Sequence, residues 1–249
     1  MRKPSVNTTP AVDASAVSGP EVSVGPALEP AAGRVSVAIL ADGDFPVRPY
    51  PRYLLEQADH VVVCDGALRK WIRTCPDRMP DAVVGDMDSL SAALRRRFAD
   101  RIHAEAEQET NDLSKALRYV LAHIPEATEI HILGATGRRE DHTLGNLALL
   151  MEYARQYGLG GLTQPSVDLV SDYTTAFAIT DSCSLAVGEG RAVSLFSPDN
   201  SLTICSQGLV WPTDEVVFDN WWKATLNRAC ADTVALTFSH PSIALVVLA

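Results

Sequence analysis

Ile130-His131-Ile132-Leu133-Gly134-Ala135-Thr136-Gly137-Arg138-Arg139-Glu140-Asp141-His142-Thr143 decides the fold. A short apolar run ends at a glycine-bearing turn and gives way to a helical pattern. This is how a strand of a parallel sheet hands over to the helix that covers it. The helix reads from about Thr143 to Tyr157, with Leu144, Leu147, Ala148 and Met151 as one apolar face and Gly158 as its stop.

Toward the N-terminus the same alternation repeats. Val35 to Leu40, Val61 to Cys64, Ala82 to Val84 and Arg101 to Ala104 read as strands. Between Thr110 and His123, Leu113, Ala116, Leu117, Val120 and Leu121 fall on one helical face. Beyond about Gly161 the helical period disappears. Val167 to Ser171, Thr175 to Thr180, Arg191 to Phe196, Thr233 to Phe238 and Ile243 to Leu248 read as short strands, with turn clusters such as Ser197-Pro198-Asp199-Asn200 between them. The expected architecture is an α/β domain over residues 35–161, with a parallel sheet and flanking helices, followed by a smaller all-β sandwich over 162–249. Residues 1–34 carry no aromatic residue and no period, so they read as a disordered leader. No continuous apolar region follows Met1-Arg2-Lys3, which argues against a secretory signal.

The formal charge of −10 over 249 residues leaves no basic field to neutralise a nucleic-acid backbone, which argues against a general nucleic-acid binder but not against a small anionic ligand held through bound cations. Five cysteines, an odd number without a Cys-x-x-Cys pair, suggest neither a disulfide framework nor a zinc site. A reducing cytoplasm is the expected location. Apolar runs such as Ser242 to Ala249 fall far short of the roughly 20 residues a membrane helix needs, so no membrane association is expected.

In an open parallel sheet, ligands bind beyond the carboxyl ends of the strands, where loops lead into helix N-termini. Three strands deliver acidic or glycine-rich loops to that rim: Asp65-Gly66, Gly85-Asp86-Met87-Asp88-Ser89, and Gly134-Ala135-Thr136-Gly137-Arg138-Arg139. Asp86 and Asp88, two residues apart in a loop, can face one point as hard oxygen ligands for Mg²⁺; equally, Asp88 or Ser89 can begin the helix Leu90 to Phe98. Asp112, behind an expected cap at Thr110, joins them on the same edge or compensates a helix dipole. The glycine loop suits a phosphate or is only a turn, and Arg138 and Arg139 are natural bidentate phosphate partners. Asp141 begins the next helix and orders the loop, His142 is a base or a structural residue, and Asn146 lies one turn further on. In the β-rich half, Trp211, Trp221 and Trp222 serve either as core or as platforms for a flat heterocycle.

Taken in order, Asp65-Gly66-Ala67, Gly85-Asp86-Met87-Asp88-Ser89, Gln108-Glu109-Thr110-Asn111-Asp112-Leu113-Ser114-Lys115-Ala116, and Gly134-x-x-Gly137-x-Arg139-x-Asp141-His142-Thr143-Leu144-x-Asn146 resemble the thiamine pyrophosphokinase family. The resemblance spans about residues 35–249. It implies transfer of a pyrophosphoryl group from ATP to the hydroxyl of thiamine, giving thiamine diphosphate and AMP. It also implies that Asp86, Asp88 and Asp112 hold Mg²⁺ against the triphosphate. Arg139 and the loop of Gly134, Thr136 and Gly137 then contact phosphates, with Asp65, Gly66, Asp141, His142 and Asn146 completing the nucleotide site. Asp65 or Asp112 orients or deprotonates the hydroxyl. Family enzymes are homodimers whose sites join the α/β domain of one subunit to the β domain of the other.

Gly208-Leu209-Val210-Trp211 matches the family's Gly-Leu-x-Trp/Tyr segment, which makes Trp211 the candidate thiamine-facing aromatic residue. Two positions depart from the pattern. Arg138 stands where the family has a second glycine, and Leu226 replaces the serine of a Ser-Asn pair whose asparagine is Asn227. The alternatives are the same chemistry on a related hydroxylated heterocycle, supported by Leu226, and an inactive thiamine or nucleotide sensor, opposed by the acids at 86, 88 and 112.

Overall fold

The computed structural model describes residues 21–23 and 33–249. The leader expected over 1–34 lies almost wholly outside the described residues. Its one described strand, β1 (Glu21–Ser23), runs parallel to β9 (Cys183–Ala186).

The strands that carry the rim are β2 (Ser36–Leu40), β3 (His60–Cys64), β4 (Ala82–Gly85), β5 (Ile102–Ala104), β6 (Glu129–Leu133) and β7 (Ser166–Val170). All six are parallel, in the spatial order β7-β6-β2-β3-β4-β5. Covered on both faces, they read as unbroken apolar runs, which is why the sequence shows them clearly. On one face lie α4 (Asp112–His123) and α5 (Glu140–Tyr157); on the other lie α1 (Pro49–Gln57) and α2 (Leu68–Thr74), with Trp71 and Leu55 fully buried. A short α3 (Ala92–Arg97) precedes β5.

The sheet continues beyond residue 161. β7 pairs with β6 in parallel, and β8 (Thr175–Ile179), β14 (Ala244–Leu248), β10 (Ala192–Phe196) and β12 (Asn227–Arg228) extend it antiparallel, giving ten strands in all. A smaller sheet of β1, β9, β13 (Thr233–Phe238) and β11 (Ile204–Gln207) packs on this extension through Phe177, Val246, Leu195, Leu185 and Leu236. The β-rich half is therefore a sandwich of which one layer is the far end of the large sheet.

One of the two long helices differs in detail from expectation. The stripe Leu113, Ala116, Leu117, Val120 of α4 is buried as its period predicts. In α5 the buried residues are Asn146, Leu150, Met151, Tyr153 and Ala154, whereas Leu144 is exposed. Leu144 instead lines an apolar cavity between the two halves, and Leu147 borders that cavity while also packing against the core. Gly158 ends α5 in the left-handed conformation, φ 68°.

Topology fixes where a ligand goes. From β2 the chain winds outward through β3, β4 and β5, then returns to place β6 on the other side of β2. The loop after β2 leads to α1 on one face and the loop after β6 to α5 on the opposite face, so a crevice opens between them.

Candidate active site

Asp65 begins the 3-10 turn Asp65–Ala67 that follows β3, and it is 1% exposed. Among the described residues, its two carboxylate oxygens are the buried side-chain polar atoms that lack a hydrogen-bond partner. Burial first, then the charges of Asp112 and Asp86, push its pKa up to about 6, against the pull of the Gly66 and Met87 amides. The neighbouring strand makes room for it: a Cβ on Gly85 would sit 2.7 Å from Asp65 Cγ.

The loop after β4 turns through Met87, a non-glycine residue at φ 69°. Asp86 Oδ1 accepts from the Asp88 amide at 3.0 Å and Oδ2 from Gln108 Nε2 at 3.1 Å. These bonds hold its carboxyl below the usual range. Asp88 is exposed. The cap of α3 is Ser91, whose side chain accepts from the Leu94 amide, so neither Asp88 nor Ser89 is needed to start that helix.

The cap of α4 is Asn111, not Thr110. Asn111 Oδ1 accepts from the Ser114 amide at 3.0 Å, while the Thr110 hydroxyl donates to Glu107 Oε1. Asn111 Nδ2 also donates to Asn146 Oδ1 at 3.0 Å, and Asn146 Nδ2 donates to the Ala135 carbonyl at 2.8 Å. Asn146 thereby ties α4, α5 and the glycine loop together and spends both ends of its amide on the protein. Asp112 is half-buried, with the ammonium of the fully buried Lys115 3.4 Å from its Oδ1.

The glycine loop runs Gly134 (φ 62°), Gly137 (φ 78°), Arg138 (φ 64°). It interlocks with Asp42-Gly43-Asp44, the loop after β2. The Gly43 amide donates to the Gly134 carbonyl at 2.5 Å and the Asp44 amide to the Thr136 carbonyl at 2.8 Å. A Cβ on Gly137 would come within 2.1 Å of Asp44 Oδ2, so no larger residue fits there unless Asp44 moves. Arg139 caps α5 without a side-chain bond to its backbone; instead its Nε and Nη2 donate to Asp141 at 3.0 and 2.5 Å. Asp141 Oδ1 also accepts from the His142 amide at 2.9 Å, and these bonds lower its pKa.

Two cavities meet at this rim. The first, about 390 Å³, gathers Gly66, Asp112, Gly137, Arg139, His142 and Asn146 with Asp42, Gly43 and Arg138. The second, about 750 Å³, is apolar, with Phe45, Leu144, Leu147, Phe196 and Trp221 in its wall, and borrows Gly134, Thr136 and Gly137 from the same loop. Asp65, Asp86, Asp88 and Asp141 are outside the lining of both, and so are Trp211 and Asn227. Asn227 is buried and bonds the Trp211 backbone through both amide ends, at 3.2 and 2.6 Å, while Trp211 is 60% exposed.

Among the described residues, no three His, Cys, Asp or Glu side chains stand close enough to hold a metal ion by themselves. Mg²⁺ asks for less, because it takes one or two carboxylates plus substrate phosphates. The unpaired Asp65 carboxylate, with Asp86 and Asp112 acting on it, is the feature of this rim that fits a cation. Sequence reasoning passed over Asp42, Gly43, Asp44 and Lys70. The first three were visible as an Asp-Gly-Asp loop one residue after a strand; Lys70, in the first turn of α2, gave no signal.

Comparison with known proteins points one way. Residues 51–158 match the model of the thiamin pyrophosphokinase catalytic domain, and residues 175–243 match that of the thiamin pyrophosphokinase substrate-binding domain. The chain is 41% identical over 76 residues to thiamine pyrophosphokinase of Bacillus subtilis (strain 168) and 31% identical over 83 residues to thiamine pyrophosphokinase 1 of Oryza sativa subsp. japonica. These alignments span 35% and 31% of the relatives' lengths. The fold is similar to the crystal structure of yeast thiamin pyrophosphokinase, with a TM-score of 0.71 at 15% identity over 94% of this chain and 92% of that one. For the Geobacillus thermodenitrificans protein the TM-score is 0.67 at 20% identity, over 86% and 97%. At such identities the structural likeness speaks for the fold alone. No helix among the described residues is long and apolar enough to cross a membrane.

Proposed function

Because the chain belongs to the thiamin pyrophosphokinase family, we propose that it transfers the terminal pyrophosphoryl group of ATP to the hydroxyl of thiamine. The hydroxyl oxygen attacks the β-phosphorus, the bond from that phosphorus to the α,β-bridging oxygen breaks, and AMP leaves. The hydroxyl proton passes to a carboxylate of the rim or to water.

The observation that carries the reading is the unpaired buried carboxylate of Asp65, set beneath a rim that also holds Asp112, Arg139 and the start of α5. A site that keeps an acid without a partner in the protein is completed by a cation, and arginines beside a helix N-terminus suit the phosphates. Asp86, Asp88 and Asp112 would hold Mg²⁺, which would neutralise charge developing on the triphosphate. The chain's own part is positioning. Gln108 and the Asp88 amide fix the Asp86 carboxylate, Lys115 steadies Asp112, and the interlocked loops after β2 and β6 hold the phosphate cradle in one shape. Of the two carboxylates weighed for the hydroxyl proton, Asp112 lines the 390 Å³ cavity and Asp65 does not, which favours Asp112 as its acceptor.

Trp211 and Asn227 stand apart from both cavities of their own chain. The exposure of Trp211, Trp222 and Leu226, at 60, 68 and 86%, supports a homodimer in which this surface meets the rim of a second copy and presents thiamine to it. Incubation of the purified protein with ATP, Mg²⁺ and thiamine tests the proposal, the expected products being AMP and thiamine diphosphate in equal amounts. Saturable thiamine binding without product, or AMP formed only with another hydroxylated heterocycle, contradicts it.

A further inference from the structure

Arg138 stands between Gly137 and the α5 cap Arg139 at φ 64°, a backbone conformation that suits glycine. The loops it adjoins are already joined by the amides of Gly43 and Asp44. Its guanidinium nevertheless reaches back to Asp42, donating to the carbonyl at 2.7 Å and to Oδ2 at 3.0 Å.

Asp42 does not depend on this bond. Lys70 Nζ lies 2.8 Å from Asp42 Oδ1 and donates to the Asp42 carbonyl at 2.9 Å. If Arg138 left, Asp42 would still have a cation, and both side chains are about half exposed, so no buried charge would be stranded. Arg138 also borders the same 390 Å³ cavity as Arg139 and His142, beside the first turn of α5. An exposed arginine–carboxylate pair is weak, whereas a guanidinium fits phosphate oxygens through two parallel bonds, with a helix N-terminus adding its own attraction.

We propose that Arg138 is a further phosphate-contacting residue of the site, held on Asp42 until a triphosphate enters and then exchanging that carboxylate for phosphate oxygens while Lys70 keeps Asp42. The inference rests on the nucleotide reading above.

The test is calorimetric titration of wild-type protein, R138G and R138Q with MgATP and with inorganic triphosphate in Mg²⁺, beside thermal melting. Both variants are expected to lose about tenfold in affinity for each ligand, the value of one charge-assisted contact. R138G is expected to melt at or above the wild-type temperature, because glycine suits φ 64°. R138Q can still donate to Asp42 without carrying charge, and so separates phosphate binding from a structural latch. Wild-type MgATP affinity in either variant overturns the proposal, as does weakened MgATP binding with inorganic triphosphate unaffected. Wild-type protein that binds no MgATP overturns the nucleotide reading itself, a failure visible before any variant is compared.

Discussion

Two clusters of charge sit along the same parallel strands, one satisfied and one not. Toward the amino ends, His131 on β6 places Nδ1 2.8 Å from Asp168 of β7 and Nε2 3.6 Å from Glu129, which also pairs with Arg34. At the carboxyl ends, Asp65 is buried as deeply and has no cationic partner, only the weak pull of the Gly66 and Met87 amides on oxygens that make no well-formed hydrogen bond. A buried charge is tolerated when it is paired. The first cluster therefore needs no ligand to account for it, and the second does. Pairing marks the part of the sheet that holds the fold; its absence marks the part that awaits something else.

If that contrast is right, the two ends should fail differently. The largest effect is expected for Asp86→Asn: kcat should fall about 10³-fold, ~4 kcal/mol of transition-state stabilisation, with melting temperature unchanged. Near-normal turnover of this variant in saturating Mg²⁺ would remove Asp86 from the cation site. At the other end, His131→Gln should cost about 2 kcal/mol of stability and leave kcat alone, because it leaves the partly buried Asp168 without its cation while Glu129 keeps Arg34.

The His131 pKa also sets a pH window. Burial pulls it down, yet Asp168 and Glu129 together raise it to about 10, above its unfolded value near 6.5. The stability it contributes is then complete below about pH 6.5 and disappears as pH rises through about 10. Denaturant titrations of wild type and His131→Gln should converge across that range; curves that stay parallel would mean that the ring is not charged.

Asp65 has the same slope in a lower window, but as a cost at neutral pH rather than a gain at low pH. Its folded pKa of about 6 lies above the ordinary carboxylate value, so the folded state binds the extra proton and loses stability as pH rises from about 4 through 6. Asp65→Asn should gain about 2–3 kcal/mol at pH 8 in the absence of metal, and lose activity. A stability gain with activity intact would show that Asp65 is a structural remnant.

The same contrast explains what the sequence made legible. Continuous apolar strands and the α4 stripe are local patterns produced by burial on both faces, and both show in the chain. The place of β7 depends on pairing across the whole of α5, so 166–170 looked like the start of the β-rich half although the strand lies parallel to β6. Leu144 fits a core stripe by spacing, but a cavity takes it while Leu147 still packs against the core, and spacing does not record which side of an apolar face is covered. At the site, acids and glycines at strand ends were visible because strand ends are. Lys115 gave no sign of being buried beside Asp112, since a lysine within a helical stripe looks like any solvated charge.

The smallest expected effect is at Leu226, which holds φ 58° while 86% exposed. A left-handed leucine costs about 1 kcal/mol relative to asparagine, whose short polar side chain tolerates that conformation. Its amide donates to the Ser194 hydroxyl at 3.1 Å, which holds the backbone, but its exposed side chain gains no burial in return; Leu226 immediately precedes the Asn227 that fixes Trp211. Leu226→Asn should therefore raise the melting temperature by a few degrees, as a gain of about 1 kcal/mol does in a chain of this length. If the exposed Trp211 surface serves a second copy's rim, KM for thiamine should shift while KM for ATP does not. An unchanged thiamine KM beside the stability gain would place Leu226 with the strain of the chain rather than with its function.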